Sequence, residues 1–503
     1  MAFIGCYSSG RTRPLTSYSS CLTCVKIEAS RQGSRDIIKY EDDSSRLIWN
    51  GKGQSLGEDQ PSAYFKETQR VFVRPLFAEQ NIFCAEEVEQ NQDIDNRYFF
   101  GDNLEVLKYI SENDDDKRIK LIYIDPPYMS QMQYRSITKD INKNQHSVHA
   151  FEDRWGKNTD HYLDMLYPRL LLMHQVLHAN GSIFVHVDWH VSHYVRVLLD
   201  EIFGRDNFIN EIIWCYSGGG NARKNLQRKH DTIFWYARSQ DFTFNHQYRP
   251  YTQGTMERGL TAVKGDHYQL SEKGAMLQDW WTDINKILSP TAYENLKYPT
   301  QKPKKLLERL INLASNPGDL VADFFGGSAT TAEMCNQMDR PWILCDNSAL
   351  ALQTSISRLI KNDSPPFSIY TPKQKTALSI CLDDLPRSQS GALLTLKKPV
   401  FQDNGPENYW LSLGIDFYQP AILPDNWDAL QFASYIEFWE IDSDYDEQIF
   451  KSQYQMLRKN NKVKKPVALT ILISVPRKIS YTMAIKIYDV FANHSTVKIN
   501  FKA

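Results

Sequence analysis

An open α/β sheet, largely parallel and flanked by helices on both faces, is the fold class that three observations predict. Between Arg97 and Ile360, apolar runs of strand length alternate with amphipathic stretches of helical length, and that β-α-β-α rhythm builds parallel sheets. Runs such as Leu121-Ile-Tyr-Ile124 are apolar throughout, as strands buried on both faces are. Acids stand at the ends of three runs, at Asp125, Asp323 and Asp346, where open sheets place ligands. At 503 residues the chain is long enough for more than one domain. Its 42% hydrophobic and 23% charged residues suit globular cores, and the net charge of -2 leaves room for local asymmetry. Eight cysteines in this length form no disulfide framework, which points to a reducing, cytoplasmic compartment. Cys21 and Cys24 make a lone CxxC with no second ligand pair, so no metal is expected. No apolar run is long enough to span a bilayer.

The first 35 residues are rich in Ser, Arg and Thr, with no acid before Glu28. They read as an organelle transit peptide or, equally, as a disordered tail or a start codon placed too far upstream. Up to Asn96 the texture is mixed and carries no functional signal. Tyr98-Phe-Phe100 is then a predicted strand, with Asp102 or Asn103 capping a helix from Leu104 to Ile110. The strand Lys120–Ile124 ends at Asp125-Pro-Pro-Tyr128. Prolines cannot donate to the ladder, so the strand stops there and the loop is stiff. Residues 129–159 show no usable periodicity and are long for a connection.

A helix is expected from about Asp160 to Ala179, kinked at Pro168 and stopped by Asn180-Gly181. Ile183–Val187 is the next strand, and Val191–Phe203 a helix ending at Gly204. From Cys215 to Lys305, fourteen Lys and Arg face eight Asp and Glu. Arg223, Lys224, Arg228 and Lys229 cluster after a flexible Ser-Gly-Gly-Gly, with Tyr216, Trp235, Tyr236, Tyr248, Tyr251, Trp280 and Trp281 among the charges. That mixture suits phosphate contact with base stacking. It suits equally a solvated basic loop over core aromatics. Pro303–Ala314 is a helix with Leu306, Leu307, Leu310 and Ile311 on one face. Leu320–Thr331 gives a strand, a small-residue loop and the start of a helix, and Trp342–Asp346 repeats the strand. Beyond Asp363, strand-like runs at 435–440, 467–475 and 481–491 suggest a further domain. Asp442–Asp446 mimics a calcium loop, but Glu447 and Gln453 stand where that loop needs Gly and Glu.

The loop Phe325-Gly-Gly-Ser328 lets a ligand approach the backbone closely, and the helix after it offers free N–H groups. Asp346 stands where an acid grips ribose hydroxyls in nucleoside-binding sheets. Asp323 can pair with an ammonium group. An adenosine bearing an amino acid, S-adenosyl-methionine, answers that description. The absence of Gly-Lys-Ser/Thr counts against a nucleoside triphosphate loop.

With both motifs in view, the chain resembles the permuted β group of amino-methyltransferases that modify adenine N6 or cytosine N4 in DNA, including type III modification subunits. Asp125-Pro-Pro-Tyr128 matches the family's catalytic signature, and Phe325 and Gly327 match its cofactor loop, which has Gly where this chain has Ala329. Supporting matches are Gly101–Leu107, Tyr167-Pro-Arg-Leu-Leu171 and Tyr298-Pro-Thr-Gln-Lys-Pro303. The resemblance implies an S-adenosyl-methionine-dependent, Rossmann-like methyltransferase domain at 97–362, with a target-recognition insertion at about 215–296. It leaves an N-terminal extension, 1–96, partly disordered, and an α+β or β-rich C-terminal domain, 363–503, of unknown role. It implies Asp125, Pro126, Pro127 and Tyr128 as catalytic, Tyr128 stacking on a flipped base. Asp323, Phe325, Gly326, Gly327, Ser328, Asp346, Asp102 and Lys302 would hold the cofactor. The third loop Gly mainly permits close helix packing, so Ala329 is expected to weaken the cofactor site at worst. Double-stranded DNA is the implied partner; a restriction subunit and a second copy of the chain are partners the family admits. Asp at the head of the motif favours adenine; cytosine N4, or a specificity subunit without catalysis, are the alternatives.

Overall fold

The computed structural model describes residues 46–52, 64–73, 75–77, 94–113, 119–139, 144–156, 159–218, 224–259, 270–289, 292–373, 393–420, 429–458 and 466–502. The Ser/Arg-rich first 35 residues, Cys21, Cys24 and Arg223 lie outside them. In chain order, β1 (Tyr64–Val71), β2 (Pro75–Phe77) and β3 (Arg97–Phe100) lead into α1 (Asn103–Asn113) and β4 (Ile119–Ile124). A hairpin, β5 (Gln133–Lys139) and β6 (Gln145–Glu152), precedes α2 (Thr159–Val176), β7 (Leu177–Val187) and α3 (Ser192–Phe203). β8 (Phe208–Cys215) leads into the basic segment, which contributes β9 (His230–Ala237), β10 (Tyr248–Arg249), α4 (Gln253–Gly259), β11 (Ala275–Met276) and β12 (Trp280–Trp281). Then come α5 (Lys304–Ala314), β13 (Leu320–Asp323), α6 (Thr330–Gln337), β14 (Trp342–Asp346), α7 (Ala349–Lys361) and β15 (Phe367–Lys373).

Among the described residues the main sheet has eleven strands, in the order β12-β8-β9-β7-β4-β13-β14-β3-β15-β1, with β20 (Phe450–Ser452) at the far edge. The six central strands from β7 to β15 are parallel. Alternate side chains feed two cores. Leu121, Tyr123, Trp342 and Leu344 face α5, α6 and α7. Ile122, Ile124, Ile343 and Cys345 face α1, α2 and α3. The chain leaves β4 through α2 for β7 on one side and leaves β13 through α6 for β14 on the other. The strand order therefore reverses between β4 and β13, opening a crevice at their carboxyl ends.

Strands from outside 97–362 join the same sheet: β1 pairs with β15, and Phe450–Ser452 with β1. The later strands form two more sheets. One runs β16 (Leu393–Leu396), β18 (Asn408–Gln419), β17 (Val400–Asp403), with β22 (Thr470–Pro476) also on β18. The other runs β2, β21 (Tyr454–Leu457), β19 (Ile436–Asp442), β23 (Ser480–Asp489), β24 (His494–Lys502).

Two expectations need correction. The helix expected to reach Ala179 stops at Val176, because 177–182 already run as strand. A Cβ on Gly181 would come within 2.9 Å of the Lys120 carbonyl, so Gly181 serves close strand approach, not a helix stop. Residues 129–159 hold a β-hairpin whose second strand alternates buried and exposed, with His146, Val148 and Ala150 inward.

The cofactor-loop side of the sheet is held by a buried charge cluster. Glu333 on α6 accepts from Arg358 on α7 and from Lys304 on α5. Arg358 Nη1 also donates to the Ser328 carbonyl (2.8 Å) and Thr330 Oγ1 (2.7 Å). Arg358→Ala strips the loop of these donors and leaves Glu333 with Lys304 and the Gln337 amide. It should cost about 3 kcal/mol, the low end for breaking a buried pair, in denaturant unfolding; a loss below about 1 kcal/mol would refute the role.

Candidate active site

Asp125 comes directly after β4, so its carboxylate opens into the crevice. The next residues cannot continue a ladder: Pro126 and Pro127 lack donors, and Met129 and Gln131 take positive φ of 63° and 61°. One buried acid holds this irregular loop. Asp153, after the hairpin, accepts N–H donors from Tyr128 (3.1 Å), Met129 (2.8 Å) and Ser130 (2.8 Å). Ser130 Oγ (2.6 Å) and Trp155 Nε1 (2.9 Å) also donate to it. No sequence motif marks Asp153, which is only an acid just beyond a strand with period-2 alternation.

Asp125 is gripped on both oxygens. The Tyr128 hydroxyl donates to Oδ1, and the Lys302 ammonium pairs with Oδ2. Lys302, expected at the cofactor, thus reaches Asp125, with Nζ 5.2 Å from the Tyr128 ring centre. Burial, and then the Asp125 charge, push the Tyr128 hydroxyl well above the usual phenol range, so it remains a donor. Behind it lies a polar chain with no sequence signal. Tyr123 Oη sits 2.9 Å from His186 Nδ1, and His186 Nε2 sits 3.4 Å from Asp231, which accepts from Tyr216 Oη at 2.8 Å. Burial, reinforced by Lys302, lowers the His186 pKa and keeps the imidazole neutral. For Asp231 burial acts upward, but the His186 hydrogen bond and Lys286 outweigh it and the acid stays ionised.

Asp323, one strand over, is buried, accepts from the Phe325 N–H (3.0 Å) and Thr331 Oγ1 (2.5 Å), and is pushed up to about 7 by burial. The Gly326 N–H donates to the Cys345 carbonyl (2.9 Å), and the Gly327 N–H, at φ +48°, to Asp346 Oδ2 (2.9 Å). Asp346 also accepts from the Ser348 N–H (2.8 Å), and burial raises its pKa. Ser328 is buried, its carbonyl held by Arg358. Asp102 caps α1 through the Leu104 N–H (2.8 Å) and pairs with Arg169 (2.9 Å). Arg169, a residue of the Tyr-Pro-Arg match, also donates to Asn103, whose amide reaches the Phe324 carbonyl at 2.7 Å.

All of these expected catalytic and cofactor residues line one cavity of about 980 Å³, at the large end for a small-molecule site. The described ones among the expected DNA-contact residues, Lys224, Arg228 and Lys229, do not line it. Lys224 is exposed, Arg228 lies over Trp189 at 3.7 Å, and Lys229 donates to the Gly218 carbonyl. The aromatics among them divide: Trp235, Tyr236 and Trp281 are core, whereas Trp280 and Tyr248 are exposed.

Residues 119–356 match the family model for DNA methylase, that of the N6/N4 methyltransferases. The type II methyltransferase M.EcaI of Enterobacter cloacae is 25% identical over 363 residues, 60% of this chain and 78% of its own. M.HpaI of Haemophilus parainfluenzae is 26% identical over 53% of this chain and 74% of its own. The StyLTI Mod subunit of a type III restriction-modification enzyme from Salmonella typhimurium is 24% identical over 51% of this chain; the match spans 53% of that subunit. Of solved structures, the M1.HpyAVI–SAM complex is 19% identical, covering 52% of this chain and 98% of its own at a TM-score of 0.36.

Ala329 replaces the last loop glycine, and the structure gives that glycine a reason other than helix packing. Ala329 stands in the left-handed region at φ 58°, ψ 32°, fully buried at the start of α6. An alanine tolerates this at about 1–2 kcal/mol; a β-branched residue does not. Ala329→Gly should therefore change stability by less than about 1 kcal/mol, its strain relief offset by lost burial and a freer unfolded chain. Ala329→Val should cost about 1–3 kcal/mol. Thermal unfolding checks the pair, and a neutral valine would disprove the strained conformation.

Proposed function

From the match of residues 119–356 to the DNA methylase family model, we propose that this chain methylates the exocyclic N6 of adenine in double-stranded DNA, using S-adenosyl-methionine. The observation that carries the proposal is the meeting of the Asp125–Tyr128 loop and the Asp323–Asp346 loops in one cavity, from adjacent parallel strands. The cavity's donor set fits the cofactor. Asp323 suits an ammonium, Asp346 keeps acceptor capacity for ribose hydroxyls, and Gly326 and Gly327 leave the backbone bare. A Cβ on Gly327 would come within 3.3 Å of the Tyr298 ring. When bound, S-adenosyl-methionine supplies an electrophilic methyl group.

The chain's own residues do the rest. The exocyclic nitrogen of adenine is a poor nucleophile because its lone pair is conjugated into the ring. Asp125, fixed by Tyr128 and Lys302, retains lone pairs for a hydrogen bond from the NH2 group. With the Pro126 carbonyl accepting the second hydrogen, the nitrogen is drawn toward tetrahedral geometry and its lone pair is freed. Tyr128 offers its ring to the flipped base. Asp at position 125 supports adenine over cytosine N4. The basic segment would bind the duplex, and a restriction subunit or a second copy remain partners consistent with the type III relatives.

Incubation with methyl-labelled cofactor and unmethylated DNA, then mass spectrometry of the nucleosides, should yield N6-methyladenine; N4-methylcytosine alone overturns the base assignment. Asp125→Ala should lower transfer by at least about 10²–10³-fold while cofactor binding persists. Full activity in that variant refutes the mechanism.

Cofactor affinity should also depend on pH. Asp323 in the free cavity is half-protonated at about 7, and pairing with an ammonium requires the carboxylate. Affinity should thus rise by up to about tenfold per pH unit toward pH 7 and level off above it, and Asp323→Asn should flatten the profile. The same group acts on stability in the opposite sense. Its folded value lies above the ordinary 3.8, so its contribution is full below that value and lost as pH rises through about 7. A pH-independent dissociation constant between about 5.5 and 8 would exclude the pairing.

A further inference from the structure

The cavity has a wall that neither sequence motif supplies. Phe491, Ala492 and Asn493, in the turn between β23 and β24, line it beside Ser348, Ala349 and Leu350. Ala492 is buried in one apolar cluster with Val148 and Ala150 of β6, Tyr298, and Leu350 and Ala351 of α7. The turn is built rather than loosely draped. Asp489 accepts from the N–H groups of Phe491 (2.9 Å) and Asn493 (3.0 Å), and Ala492 takes a positive φ of 66°. Both flanks of the cavity fasten it. Gln353 of α7 donates to the Asp489 carbonyl at 2.8 Å, and Thr138 of β5 donates to the Val490 carbonyl at 2.9 Å. The His146 ring meets Phe491 edge-on at 4.9 Å.

Next to Asp346, then, the cavity wall sets Ala349, Leu350, Phe491 and Ala492 beside the polar Asn347, Ser348 and Asn493. Asn493 spends its Nδ2 on Asp489, at 3.3 and 3.2 Å from the two oxygens, and no described residue engages its Oδ1. A carbonyl oxygen beside those apolar side chains suits a planar ring that presents an amino group.

We propose that the C-terminal turn Asp489–Asn493 closes the adenine end of the cofactor cavity, with Ala492 against the ring and Asn493 Oδ1 accepting from its amino group. The inference rests on the cofactor reading above and gives the last 140 or so residues (363–503) a working part in the methyltransferase. In hypoxanthine the amino group becomes a carbonyl, which would face Asn493 Oδ1 acceptor to acceptor.

The test is calorimetric binding of S-adenosyl-homocysteine and S-inosyl-homocysteine to the full chain and to Asn493→Ala and Phe491→Ala. The full chain should prefer the adenosyl ligand by at least about tenfold, the scale of one unpaired polar contact. Asn493→Ala should bring the two ligands within about threefold of each other, and Phe491→Ala should weaken both in parallel. Thermal unfolding without ligand separates loss of the turn from loss of the fold. Failure of the unaltered chain to bind S-adenosyl-homocysteine would overturn the cofactor reading itself. Normal binding with an unchanged adenosyl preference in Asn493→Ala would overturn the role of the turn alone.

Discussion

The side-by-side pairing of β4 with β13 is the constraint on which the rest of the molecule depends. Their register sets Tyr123 against Asp323, so Asp125 lies two residues past the level at which the neighbouring strand presents its own acid. Nearly two hundred residues separate the two strands, and all of them must leave and return without disturbing that register. Parallel pairing makes this possible, because each strand hands the chain to a crossover helix. The basic segment is accommodated at the sheet's free side, where β8 and β9 extend β7 antiparallel. That segment is mechanically continuous with the strand next to Asp125.

Four of the acids that line the cavity sit in four different environments that keep them compatible. Asp125 is paired with Lys302, and Asp153 is saturated by loop donors. Asp346 is held by two backbone amides, while Asp323 is pushed up to about 7 by burial. Were all four bare, mutual repulsion in so dry a space would oppose folding. In the proposed reaction the arrangement would separate roles as well: acceptors fixed toward the exocyclic nitrogen on one side, acceptors poised for a cation and hydroxyls on the other.

Much of this is legible in the residue pattern, and the reason is local. Apolar runs report strands buried on both faces, glycines and prolines report where the backbone must turn, and an acid at a strand's end reports the ligand edge. The features that escape the pattern are decided at long range. Asp153 is an ordinary acid until the hairpin carries it under the Tyr128 loop. Asn180-Gly181 reads as a helix stop until the Lys120 carbonyl is seen pressing on Gly181. Ala329 reads as a packing compromise, whereas its backbone angle is the issue. The basic, aromatic stretch stays ambiguous because periodicity cannot tell a core tryptophan such as Trp235 from an exposed one such as Trp280.

The cavity draws on residues from Gly101 to Asn493, and that span has an energetic consequence. A site assembled from so many distant pieces exists only when all of them are docked, so a ligand that bridges the pieces stabilises the whole arrangement by mass action. The turn at 489–493 is docked on the other walls of the cavity through Gln353, Thr138 and ring contacts. Binding at that end would therefore order the C-terminal strands as well as the loop at Gly327. Reciprocally, whatever engages the C-terminal strands would act on cofactor affinity through the same few hydrogen bonds. Coupling of that kind needs no moving lid; it comes from placing one wall of the cavity at the far end of the chain.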